Sequence, residues 1–269
     1  MTPQNLKHSN RLEDQVIAIT GAGSGNGKAA ALRTGREGAS LYISDINAEL
    51  LEETLADLKS EGINAAGGIF DAANINDAPR FVNAVKDAHG RIDVLVNNAG
   101  AVKVEPFPNV SEENWDWTMN LNLKGAFFLM QEAAKPMIDQ RSGNIVNIAS
   151  IAGTFGGPTS SPSYAAAKAG LVNLTTVAAA TLAQYTVRVN AIAPGIINTP
   201  FHAPVDLAIG QEQLGLEPGE HIHTRVGIIP LGRLGEPEDV AATVAFLASE
   251  DADHISGETI TVAGAMRSL

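Results

Sequence analysis

Tyr164 and Lys168 are the residues of this chain best placed to move a proton. They stand four apart in Tyr164-Ala165-Ala166-Ala167-Lys168, a run whose alanines favour helix. That spacing puts both side chains on one helical face. A phenol titrates near pH ~10, too high for acid–base work at neutrality. A neighbouring ammonium favours the phenolate and is expected to bring that value down. No carboxylate follows Tyr164 as far as Val187, and Lys168 is the only cation in that run. Such a pair can exchange a proton with an alcohol oxygen. A surface tyrosine beside a surface lysine gives the same short pattern, so the rest of the chain has to decide.

A second stretch with chemistry in it lies near the start. The apolar run Val16-Ile17-Ala18-Ile19 leads into Thr20-Gly21-Ala22-Gly23-Ser24-Gly25-Asn26-Gly27, and a helical pattern follows from Lys28 to Glu37. Strand, glycine turn and helix start together make an anion cradle. The glycines let backbone approach a pyrophosphate, and the helix end offers free N–H groups and the positive end of a dipole. The next apolar run, Ala39 to Ser44, ends at Asp45. An acidic residue at that distance beyond the glycines can bind a ribose 2′-hydroxyl. It can also cap the helical stretch that begins at Asn47, and the two roles are compatible.

The elements that must position these groups alternate along the chain. Leu50, Leu51, Leu55 and Leu58 form a helical stripe, Ala65 to Phe70 reads as a strand ending at Asp71, and Ile75 to His89 as a helix. Ile92 to Val96 is a strand running into Asn97-Asn98-Ala99-Gly100. Ser111 is a candidate N-cap for a long helix to about Gln140, with Asn120, Asn122 and Gly125 as poor helix formers inside it. Asn144 to Ser150 is a strand ending in a hydroxyl, and Val187 to Ala193 is a strand broken by Pro194-Gly195. Pro237 to Ser249 is helical, and Thr259 to Val262 is a seventh strand. Alternating strands and helices predict an α/β, Rossmann-type doubly wound parallel sheet with helices on both faces. Residues 12–269 read as one domain and 1–11 as a mobile tail.

Composition excludes several function classes. The 269 residues carry a formal net charge of -12, without the basic excess of a nucleic-acid reader. Without cysteine there is no disulfide, thiolate nucleophile or cysteine-held zinc. His202, His221 and His223 lack accompanying carboxylate spacing, so no metal site is expected. No apolar run reads as long enough to span a bilayer, no signal-peptide pattern is visible, and a cytoplasmic location is expected.

Taken in order, the Thr20–Gly27 turn, Asp45, Asp71, Asn97–Gly100, Asn122, Ser150, Tyr164/Lys168 and Pro194-Gly195 with Thr199 resemble a short-chain dehydrogenase/reductase of the single-domain type. The resemblance covers about Leu12 to Ala265. It implies Tyr164 as general acid/base, Ser150 as hydrogen-bond partner of the reacting oxygen, and Lys168 as the residue that tunes Tyr164 and holds the nicotinamide ribose. Asn122 would position a relay water. Gly21, Ser24, Asn26 and Gly27 would surround the pyrophosphate, Asp45 the adenosine ribose and Asp71 the adenine. Asn98, Ala99 and Gly100 would line the cofactor channel, with Pro194, Gly195, Ile197 and Thr199 near the nicotinamide. Asn26 departs from the isoleucine usual at its position. The Ser150–Tyr164 loop is one residue longer than the common pattern.

The implied activity is NAD(H)-dependent interconversion of a secondary alcohol and a ketone. Two other readings are a 3-oxoacyl reductase of fatty-acid type and a catalytically silent NAD-binding regulator. Asp45 favours NAD(H) over NADP(H). Val102, Ile151, Phe155, Ile196, Phe201 and Leu207 are candidate walls of a mostly apolar substrate pocket. Residues 200–226, punctuated by glycine and proline, are expected to form a lid. The uncharged stretch Ala169 to Val187 suggests a helix face covered by a second copy, hence a homotetramer or dimer.

Overall fold

Seven strands hold the chemistry-bearing loops at one edge of a parallel sheet. The computed structural model describes residues 10–155 and 161–266. Strands β1 (Val16–Thr20), β2 (Ser40–Asp45), β3 (Ala65–Ile69), β4 (Val94–Asn97), β5 (Gly143–Ile148), β6 (Val187–Pro194) and β7 (Thr259–Val262) alternate with helices. These are α1 (Gly25–Arg36), α2 (Ala48–Ser60), α3 (Ala78–His89), α4 (Glu112–Met119), α5 (Ala126–Gln140) and α6 (Pro162–Leu182). Short α7 (Ala203–Val205) and α8 (Glu220–Thr224) follow β6, and α9 (Pro237–Ala248) precedes β7. Strand order is β3-β2-β1-β4-β5-β6-β7, parallel at every pairing.

Strand side chains alternate between the two faces. Ile17 and Ile19 of β1 enter one core with Ala30 of α1 and Val244 of α9; Val16 and Ala18 enter another with Val85 of α3 and Met137 of α5. In β2, Leu41 and Ile43 divide from Tyr42 in the same way. Both faces are covered, as an all-parallel sheet requires. Ile17, Ile19, Leu41 and Ile43 have no exposed surface, and burying each side chain contributes on the order of 2 kcal/mol. The winding reverses between the neighbouring strands β1 and β4, so the loops after them part and open a crevice at the C-terminal edge.

Two details aim particular residues at that crevice. The long helix after Ser111 breaks where its poor helix formers fall: α4 passes into a π-helical turn, Asn120–Gly125, before α5. Such turns occur often at functional sites. Helix α6 is pinned to the sheet by a buried polar chain. Asn97 Nδ2 donates to Asn147 Oδ1 at 3.2 Å, and Asn147 Nδ2 donates to Thr175 Oγ1 at 3.0 Å.

The span 162–185 is long and apolar enough to cross a membrane, which corrects the expectation that no run is. Its Ala167, Leu171, Thr175 and Ala179 are buried and it carries Lys168, so one face of the helix packs inward while another is exposed. The tail expected over 1–11 lies outside the described residues as far as position 9. Arg11 is anchored, with Nε 2.5 Å from Glu37 and Nη1 3.0 Å from Asp251.

Candidate active site

Ser150 stands just past β5 in extended backbone and caps a 3₁₀ turn, Ile151–Gly153. Its Oγ accepts from the Ala152 N–H at 3.2 Å, and Ser150 lines the same cavity as Tyr164. Tyr164 and Lys168 project from the first two turns of α6. The Lys168 Nζ lies 5.7 Å from the Tyr164 ring centre and donates to the Ile148 carbonyl at 2.8 Å. The Ser150 loop reaches α6 only because Gly153 has no side chain. A Cβ there would lie 2.4 Å from the Lys168 carbonyl carbon and 2.6 Å from the Ala169 nitrogen. The sequence reading passes over Gly153, whose one signal is its place in the Ser150–Tyr164 loop.

Asn122 is buried in the π turn, behind the cavity wall. Its Nδ2 donates to the carbonyls of Ala101 at 3.0 Å and Thr118 at 3.1 Å. Its Oδ1 is buried without a partner. That oxygen lies 2.7 Å, and Lys168 Nζ 3.4 Å, from the point a Cβ on Gly100 would occupy. A buried acceptor left open beside an amine suits a bridging water.

Burial sets the electrostatics. It pushes the Tyr164 phenol up, against a smaller opposing effect of the Ser150 hydroxyl. It brings Lys168 down to about 8. The expectation that the ammonium lowers the phenol is therefore corrected: no lowering by the ammonium enters for the chain alone, where Lys168 Nζ donates to the Ile148 carbonyl. A phenol held protonated is a proton donor, which is what a carbonyl oxygen gaining negative charge needs.

These groups open into a cavity of about 1120 Å³ that runs to the other side of the glycine turn. Gly21, Ser24, Asn26, Asp45, Asp71, Asn98, Ala99, Gly100, Pro194, Gly195, Ile197 and Thr199 all line it. Gly27 lies beneath: a Cβ there would sit 2.1 Å from the Gly21 carbonyl oxygen, so only glycine lets α1 start so close to β1. First-turn N–H groups of a helix have no intrahelical acceptor, and the first turn of α1 has no acidic residue. Asn26 Oδ1 is buried without a partner. The Asp45 oxygens accept from the Gly23 N–H and the Asn47 N–H, both at 2.9 Å, which leaves each an open lone pair. Asp71 Oδ1 accepts from the Ala73 N–H at 2.9 Å. An open anion cradle beside a carboxylate fits a nicotinamide dinucleotide.

At the substrate end Val102, Ile151, Phe155, Ile196 and Phe201 line the cavity as expected. Leu207 does not: it is 51% exposed, turned outward by a π-helical stretch, Asp206–Gln211, that shifts the helical register. Residues 200–228 form short helical pieces rather than one helix, and the Phe201 ring lies 5.6 Å from that of Tyr164. Trp117, His202, Arg225 and Met266 also line this end. The sequence reading does not place them there, because they come from separate elements and share no periodicity.

The sequence profile of the short chain dehydrogenase family matches residues 15–209. A 3-oxoacyl-[acyl-carrier-protein] reductase FabG of Thermotoga maritima is 38% identical over 256 residues, covering 95% of this chain and 99% of that protein. Among solved structures, levodione reductase is 35% identical with a TM-score of 0.87, over 94% of this chain and 97% of that one. Actinorhodin polyketide ketoreductase with NADPH is 31% identical with a TM-score of 0.89, over 94% and 97%. The chain belongs to the short-chain dehydrogenase family. It is an oxidoreductase acting on CH–OH and keto groups with a nicotinamide dinucleotide.

Proposed function

We propose that this enzyme interconverts a secondary alcohol and a ketone with NAD(H). One observation carries the reading: Ser150, Tyr164 and Lys168 meet on the wall of the same cavity that Asp45 lines at its far end. A bound nicotinamide supplies or accepts the hydride. Ser150 and Tyr164 donate to the substrate oxygen as negative charge develops, and Tyr164 transfers its proton to it. Lys168 and Asn122 hold a water that returns the proton to Tyr164. Asp45 accepts hydrogen bonds from the ribose hydroxyls, and the α1 N-terminus takes the pyrophosphate. In oxidation the proton moves the opposite way. Assay of an alcohol and ketone panel, following absorbance of the reduced cofactor, tests the reading; turnover of no member with either dinucleotide would contradict it.

A 3-oxoacyl reductase is the second reading, favoured by the name of the Thermotoga relative. Saturable reduction of 3-oxoacyl thioesters at efficiencies well above simple ketones would select it. A silent cofactor-binding regulator fits poorly, since the proton-transfer set is complete.

We further infer a homotetramer or dimer. The exposed face of α6, including Val177 at 53%, carries no charge, and Phe127 of α5 is 36% exposed. A second copy is the natural cover for such faces. A monomer mass by light scattering at micromolar concentration would contradict this.

A further inference from the structure

Away from Ser150, Tyr164 and Lys168, the substrate end of the cavity is mostly apolar, with His202 and Arg225 among its polar residues. Val102, Trp117, Phe155, Ile196 and Ile228 are typical of its walls, and Arg225 is the one fixed cation there besides Lys168. Arg225 comes from the 3₁₀ turn after α8 and also borders a small space of about 30 Å³ behind the lid, shared with His202, Asp206 and His221. Burial and the positive charge of Arg225 hold His202 below its ordinary range.

Most arginines of so acidic a chain find a carboxylate; among the described residues Arg141, which donates to the Gln184 carbonyl, and Arg225 do not. Arg11, Arg33, Arg36, Arg80, Arg91, Arg188 and Arg233 each pair with a carboxylate. Among the described residues Arg225 pairs with none. Asp206, the carboxylate of the space it borders, makes no ion pair with it and is held by groups of its own segment. Its Oδ2 accepts from the Gly219 N–H at 2.8 Å and Gln211 Nε2 at 2.9 Å, and its Oδ1 accepts from the His221 N–H at 3.2 Å. Those bonds tie the lid together, and Arg225, an exposed residue of the cavity lining, is left without a carboxylate among the described residues. A guanidinium presents a planar fork of donors that fits a carboxylate or phosphate.

We propose that the substrate carries an anionic group, a carboxylate or a phosphate, set apart from its reacting carbonyl and held by Arg225. The inference rests on the reading of the cavity as that of a ketone reductase. It narrows the substrate class to oxo compounds with an apolar body and an anionic end. Tyr164 and Ser150 meet the carbonyl, the apolar walls cover the body, and the lid arginine meets the anion.

The test uses methyl-ketone oxo acids of increasing chain length, each beside its methyl ester, and oxo alcohols beside their phosphate monoesters. For the unmodified protein we expect kcat/KM at least tenfold higher for the anionic member of the best pair, about what one charge-assisted contact contributes. The carboxylate and phosphate arms show which anion fits. Arg225→Met is expected to collapse that ratio through KM of the anionic member, and Arg225→Lys to retain part of it. Quenching of Trp117 fluorescence by acid and ester gives the same comparison without turnover. No anionic preference in either measurement would overturn the inference, as would an Arg225→Met variant that loses both members equally or loses NADH affinity. Turnover of esters and acids alike would leave the reductase reading standing and sink this one alone.

Discussion

Replacing Asp45 should change which dinucleotide this enzyme prefers, and the size of the change can be worked out in advance. Asp45 sits at the C-terminal end of β2 with both oxygens partly engaged by backbone N–H groups. A ribose diol can donate to the remaining lone pairs. A 2′-phosphate would instead bring up to two negative charges to ~5 Å, each costing about 3 kcal/mol at an effective dielectric of ~20. If only a third of that total survives relaxation, about 2 kcal/mol remains, a preference above tenfold for NAD(H). Among the described residues no cation of α1 stands ready to offset it. Lys28 is 2.6 Å from Asp57, Arg36 is 2.6 Å from Glu61, and Arg33 is paired with Glu37. The assay is kcat/KM with each dinucleotide for the unmodified protein, Asp45→Ser, and Asp45→Ser with Ser24→Arg. The serine keeps an acceptor for Gly23 while removing the charge. The NAD:NADP ratio should exceed ten, fall about tenfold in the single variant, and fall again in the double. Equal or better efficiency with NADP in the unmodified protein, or a ratio that Asp45→Ser leaves in place, would refute the reasoning.

Three further outcomes are expected. Gly153→Val should lower turnover more than tenfold and destabilise the fold by about 1–3 kcal/mol, because its Cβ would lie 2.4 Å from backbone of α6; a melting temperature and kcat equal to wild type would contradict this. On the proposed roles, ketone reduction consumes a proton held by Tyr164 and Lys168, and burial brings Lys168 down to about 8. Reduction should therefore slow, and alcohol oxidation quicken, as pH rises from about 7 to 9; matching profiles in the two directions would count against proton transfer by this pair. Protease nicking within 200–226 should slow when cofactor and an unreactive oxo acid are added together; unchanged cleavage would count against a lid.

Much of the fold was legible because its signals are local. Uninterrupted apolar runs in β1 and β2 announce strands buried on both faces, and the glycine run after Ile19 announces the anion cradle. Asn120, Asn122 and Gly125 marked the break between α4 and α5, since poor helix formers inside a helix point to a distortion. Features that depend on distant parts meeting were harder to read. Leu207 was assigned to the pocket on apolarity alone, and the π-helical register that turns it outward leaves no periodic trace. The phenol of Tyr164 rises because of burial, a property of the whole cavity and not of its lysine neighbour. Gly153 and Arg225 matter for what lies across from them: the α6 backbone in one case, an apolar cavity in the other.

The central claim is that Tyr164 donates the proton to the substrate oxygen. Tyr164→Phe keeps the ring against Phe201 and removes only the hydroxyl. With NADH affinity measured by fluorescence as a control, turnover of the best substrate should fall by at least ~10²–10⁴, the range of general acid–base catalysis, while cofactor binding is retained. A variant that keeps more than about a tenth of wild-type turnover with the chemical step limiting, or one whose loss traces to cofactor binding, would contradict the account.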